Sequence, residues 1–137
     1  MYLVGMKIDK SYLLWVARIG ASLIMLQTLF FKFSASEESV YIFSTIGMEP
    51  WGRIGVGIME LVASILLLIP PISWFGALLA FGLMGGALGM HATLLGIEVQ
   101  GDGGYLFYLA LVVMGCATYV LWHDQKKLKH ALSRFGF

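Results

Sequence analysis

The chain has 137 residues, 59% of them hydrophobic and 12% charged, with a formal net charge of +1. A soluble domain carries about a quarter charged residues, so half that share, gathered around long uncharged runs, points to an integral membrane protein. It argues against an apolar soluble core, and no nucleic-acid partner is expected. One cysteine, Cys116, excludes an intrachain disulfide and a Cys-x-x-Cys redox pair, and its apolar surroundings predict a buried, inert thiol.

A bilayer-spanning helix needs about 20 mostly apolar residues, and four segments qualify: 12–33, 51–69, 72–97 and 105–122. The first is too long for a cleaved signal core and contains Arg18, Gln27 and Lys32, so cleavage is not expected. After it comes EESVYIFSTIG (37–47), where Val40, Phe43 and Ile46 recur at helical spacing, predicting a short helix on the membrane surface. Pro70 and Pro71 divide the second and third spans into an antiparallel hairpin, because proline lacks the N–H that a helix interior needs. Between the third and fourth lies GIEVQGDGG (96–104), whose glycines suit positive φ. The basic tail, 123–137, places Leu128 and Leu132 four apart among lysines and predicts a surface helix on anionic lipid.

Lysine and arginine favour the cytoplasmic side in short flanks. The N-terminal segment has Lys7 and Lys10, and the tail has Lys126, Lys127, Lys129 and Arg134. The opposite side carries Glu37, Glu38, Glu49, Glu98 and Asp102. Trp51, Tyr105 and Tyr108 then fall at the outer interface, with Trp15, Trp74 and Trp122 at the inner one. The expected fold is one all-α integral membrane domain over 1–137. It is a four-transmembrane-helix bundle with a short interfacial helix between the first two spans and both termini cytoplasmic.

Charges inside a bilayer cost on the order of 2.5 kcal/mol or more each, so they face the bundle and pair. On a helical wheel Arg53, Gly57, Glu60 and Ser64 share one side of the second span, with Glu60 near mid-membrane. Arg18, Ser22, Met25, Leu29 and Lys32 share one side of the first, while Gln27 points the other way. His91 lies near the outer end of the third. Lys32, Arg53 and His91 are therefore expected to gather above Glu60, with Arg18 approaching from below. Two readings stay open for these five residues: an ion-pair network that fixes helix register, or a polar pocket that binds a small ligand or handles protons. Gly82, Gly85, Gly86 and Gly89 have small-xxx-small spacing, which suits close helix approach within the chain or a homodimer through Gly82 and Gly86. Only His91 among the histidines falls within a span, so neither a metal centre nor a bis-histidine haem is expected.

Three stretches together resemble the DoxX-like family of four-helix membrane proteins. They are LFFKF with Lys32, followed by an amphipathic segment and a Gly-x-x-Pro turn; IMELVASILLLIP with Glu60; and GGALGMHATLLG with His91. Family members commonly have a small residue three positions before the lysine, where this chain has Leu29. The resemblance implies a compact bundle in the cytoplasmic (inner) membrane of a prokaryote, with Lys32, Glu60 and His91 as its polar centre. It further implies association with quinol-linked redox chemistry, so the expected function is a small membrane subunit that binds a quinone and meets a redox partner protein. Such a subunit is not expected to be an enzyme by itself. The alternatives are a non-enzymatic helper that binds lipid or partner helices, and a small-solute carrier acting as a dimer.

Overall fold

A computed structural model describes residues 10–136; Lys7 lies outside the described residues. Among them every regular element is helical. These are α1 (Lys10–Phe33), α2 (Glu37–Thr45), α3 (Trp51–Leu67), α4 (Ser73–Met90), α5 (Tyr105–His123) and α6 (Gln125–Arg134). The four long helices close a ring in which α1 and α4 each pack against both α3 and α5. Alanines fill the centre: Ala21, Ala63, Ala77, Ala80 and Ala117 are buried with Leu67, Val113 and Val120. Side chains this small let the helix backbones approach closely.

Three helical stretches are long and apolar enough to cross a membrane, Ser11–Phe33, Pro70–Leu95 and Tyr105–His123. The second predicted span falls short, because its helix ends at Leu67 and has only 17 residues. That length covers about 26 Å, against about 30 Å of hydrocarbon. The prolines that divide the hairpin also shorten α3, since the chain tightens into a 3-10 turn over Pro70–Ile72 before α4 begins. Large apolar side chains point outward from the ring, among them Val16, Leu23, Phe30, Ile58, Ile65 and Val112. This inside-out distribution is compatible with a multi-pass membrane protein.

The shorter elements follow local chemistry. Ser36 caps α2 by accepting a hydrogen bond from the Ser39 N–H at 3.3 Å, and Glu37 and Glu38 sit in the first turn, where negative charge opposes the helix dipole. The third predicted span resolves into two parts. α4 stops at Met90, His91–Leu95 widens into a π turn, and Gly96 ends it at φ 79°. In the following loop Gly101, Gly103 and Gly104 also have positive φ, as the composition of 96–104 predicts. α6 folds back against α4 and α5.

Gly82, Gly85, Gly86 and Gly89 of α4 mediate no close helix approach within the chain. A Cβ on Gly82, Gly86 or Gly89 would meet nothing within 4 Å, and one on Gly85 would touch only the Met114 methyl at 3.7 Å. Close approach within the chain occurs elsewhere. A Cβ on Gly76 would lie 2.6 Å from the Leu67 nitrogen, and one on Gly57 would lie 2.6 Å from Phe33 Cε1 and 3.3 Å from Leu29 Cδ1. Leu29 is thus accommodated by a glycine on the facing helix.

Candidate functional site

The polar stripe of α3 faces the bundle as its periodicity requires, with Arg53, Gly57, Glu60 and Ser64 all buried. α1 runs antiparallel to α3 and lays its own buried face, Arg18, Ser22, Met25 and Leu29, along it. Ser22 donates to the Ser64 carbonyl at 3.1 Å, and Ser64 donates to the Glu60 carbonyl at 2.8 Å. The first bond ties the two helices together; Glu60 lies one turn beyond Ser64 on α3, and Lys32 meets it from ten residues beyond Ser22 on α1. Lys32 Nζ lies 2.9 Å from Glu60 Oε1, with the Glu60 side chain 3% exposed and that of Lys32 16%. The ammonium approaches off the hydrogen-bonding direction, leaving Oε1 charge-paired but without a well-aligned donor.

Arg53 does not join this pair, contrary to expectation. Its Nε donates to both carboxylate oxygens of Glu49 at 2.8 and 3.0 Å, and its Nη1 donates to the Lys32 carbonyl. The planar guanidinium fork matches a carboxylate one helical turn away better than a single oxygen deeper in the bundle. The Lys32 carbonyl, near the C-terminus of α1, accepts this bond together with one from the Ala35 N–H at 3.3 Å. Arg53 therefore positions Lys32 through its backbone.

His91 is 5% exposed. Its Nδ1 lies 2.9 Å from the Gly96 carbonyl and its ring meets the edge of Phe107 at 5.7 Å. A carbonyl only accepts, so the neutral ring carries its proton on Nδ1 and keeps the Nε2 lone pair unused. This tautomer follows from the hydrogen-bond partner. The π turn that begins at His91 swings the imidazole inward, a wide-turn feature frequent at functional sites.

Lys32, Glu60 and His91 line one cavity of about 310 Å³. Its remaining wall is apolar apart from Thr28 and Ser39, and it is built by α1, α3, α4 and α5 with α2 across one end. That volume lies at the small end of ligand pockets, which run about 300–1,000 Å³.

Arg18 is drawn to the opposite end of the bundle. Its Nε donates to the Ser73 hydroxyl at 3.0 Å, Ser73 donates to the Leu67 carbonyl at 2.9 Å, and Nη2 lies 3.8 Å from Asp124 Oδ2. Trp15 stacks under the guanidinium at 5.0 Å from its centroid. Asp124 also meets His123 Nδ1 at 2.9 Å. Arg18 therefore ties α1 to the α3–α4 turn and to the junction of α5 and α6, far from Glu60. Asp124, buried with its side chain 1% exposed, was not singled out from the sequence. Lying in a basic tail just past an apolar run, it reads there as a solvated acid.

The loop after the π turn is organised by Asp102. Oδ1 accepts from the N–H groups of Val99 at 3.0 Å and Gly104 at 2.8 Å, and Oδ2 from Leu106 at 3.4 Å. Burial works to raise this carboxyl, and the three backbone donors outweigh it, holding it below the usual carboxylate range. Glu38 on α2 is pushed the other way, by burial first and by repulsion from Asp102 second.

Cys116 is half-buried against the apolar core. Among the described residues no group of three or more His, Cys, Asp or Glu side chains is disposed to hold a metal ion. Comparison with family models, with curated proteins and with solved structures finds no match to this chain.

Proposed function

We propose that this chain is a small DoxX-like subunit of a prokaryotic cytoplasmic membrane, crossing it four times with both termini inside, and that its cavity binds the ring of a quinol or quinone. The inward charge of its flanks and tail and the two aromatic rims support the orientation. α3 is short for a span, and a bilayer thins locally around short spans at modest cost.

One observation carries the ligand reading: two acceptors line the cavity, Glu60 Oε1, which Lys32 pairs by charge without a well-aligned hydrogen bond, and the Nε2 lone pair of His91. Buried polar atoms of this kind are costly unless a partner reaches them. A quinol brings two hydroxyl donors on a flat apolar ring, matching both acceptors and the apolar wall. Oxidation of the bound quinol releases two electrons and two protons. The protons pass to Glu60 and to His91 Nε2, and the electrons pass to a redox partner protein of electron-accepting type. Lys32, 2.9 Å from Glu60 Oε1, offsets negative charge on that carboxyl. The chain is thus a binding and proton-handling subunit.

The test is binding of a tail-free substituted benzoquinol to purified protein, read as thermal stabilisation. Wild type is expected to gain stability with increasing quinol, and Glu60→Gln to weaken binding about ten-fold. Equal shifts in the two proteins would remove Glu60 from the ligand's contacts and end this reading.

A further inference from the structure

We infer that the ligand of this pocket is an amphiphile with a hydroxyl-bearing headgroup and one hydrocarbon tail, and that it reaches the pocket sideways, from the hydrocarbon layer, between α3 and α4. The inference rests on the pocket reading above and adds the route and the tail.

The α3–α4 hairpin is clasped at one end and open at the other. Near its prolines the helices touch through Gly76, where any side chain would strike the Leu67 nitrogen and the Ala63 carbonyl at 2.6 and 2.8 Å. Two turns further along α4, Gly82 and Gly86 stand one above the other, four residues apart, and a Cβ on either would enter open space. Both are exposed on the outside of the ring, and both line the interior cavity. A residue that faces outward and also lines the pocket marks a passage through the wall. Val56 on α3 and Leu83 on α4 flank that passage and line the same cavity.

The axial route is obstructed. α2 lies across that end of the cavity and contributes Ile42, Ile46 and the buried Phe43 to its lining. A ligand arriving from water would meet this apolar cover, whereas one arriving within the bilayer meets a gap bordered by glycine, valine and leucine. Glycine at both positions keeps the gap open without any loss of packing, because nothing lies where the side chains would be.

The pocket's polar end sets the headgroup. Glu60 Oε1 is buried without a well-aligned donor and lines the cavity, and His91 Nε2 adds a second acceptor. Hydroxyl donors satisfy both. About 310 Å³ holds a ring-sized headgroup, so a long tail must remain outside, lying in the α3–α4 gap among acyl chains.

Two probes separate the route from the pocket: a decyl-substituted benzoquinol and its tail-free parent, each titrated against full-length protein in nanodiscs. Gly86→Leu is expected to weaken the decyl probe about ten-fold more than the tail-free ring, while Glu60→Gln weakens both alike. Val56→Phe narrows the same gap from α3 and is expected to repeat the Gly86→Leu pattern, which guards against a folding defect peculiar to one variant. Decyl binding unchanged in both gap variants, or equal loss of both probes, would overturn the lateral route and leave the pocket standing. Wild type binding neither probe would overturn the pocket and the route together.

Discussion

Replacing Lys32 by methionine keeps the length of the side chain and removes the only cation beside Glu60 among the described residues. Lys32 Nζ is 2.9 Å from a carboxylate that is 3% exposed, and the nearest other cation, Arg53, is committed to Glu49 and the Lys32 carbonyl. Glu60 is left buried and unpaired, a change that costs about 3–5 kcal/mol in comparable buried pairs. For a chain of this size that lowers the unfolding midpoint by roughly 10 °C or more. Adding Glu60→Met to the same protein removes the stranded charge and is expected to recover most of the loss, because a well-packed apolar pair is often neutral relative to the ion pair. The assay is a double-mutant cycle of thermal unfolding in one detergent, at one pH and salt concentration. A Lys32→Met protein as stable as wild type, or a double variant no better than the single one, would refute the claim that these two side chains depend on each other.

Gly57→Ala is expected to destabilise by about 1–3 kcal/mol, since the new methyl would lie 2.6 Å from Phe33 Cε1 and must displace the ring that adjoins Lys32. Gly82→Ala meets open space and is expected to stabilise by up to about 1 kcal/mol through helix propensity alone; the same unfolding assay ranks the two. The 96–104 loop and α2 together have a pH dependence of two opposite signs. Asp102 is held below its ordinary value of 3.8, so its contribution is present above that value and lost as pH falls below it. Glu38 is raised above its ordinary 4.5, so its contribution is present at acid pH and lost as pH rises through its elevated value. Unfolding profiles between about pH 3 and 7 are expected to flatten at the acid end in Asp102→Asn and at the upper end in Glu38→Gln.

Much of this arrangement is legible in the residues. Periodicity of 3.6 aims Glu60 and Lys32 inward on their own helices, and the prolines and the loop glycines mark where helices stop and start. His91 shares a cavity with that pair, as its depth on the third span leads one to expect. The two arginines show where such reasoning stops. A wheel assigns each a direction, and both do point inward, yet Arg53 is satisfied within its own turn by Glu49 and Arg18 by a serine and an aspartate at the far end of the bundle. Asp124 is hidden from sequence because its neighbours are basic and its burial is created only when α5, α6 and α1 converge. The α4 glycines mark a related limit: small-xxx-small spacing shows that a helix can be approached, and it does not show by what.

Hydropathy, breaker residues and helical period are properties of neighbouring positions, and by themselves they determined the all-helical class, the hairpin and the inward faces of α1 and α3. Distances across the bundle are set by which helices touch and where a side chain keeps them apart. Only the packed chain decided that Lys32 meets Glu60 while Arg53 and Arg18 turn elsewhere. It also decided that the imidazole swings inward on a π turn, and that a hairpin clasped at Gly76 opens at Gly82 and Gly86. The physical reason is range. Backbone preference and amphipathic pattern act within a few residues, whereas choosing among several partners for a buried charge depends on geometry that exists only once all four helices are in place.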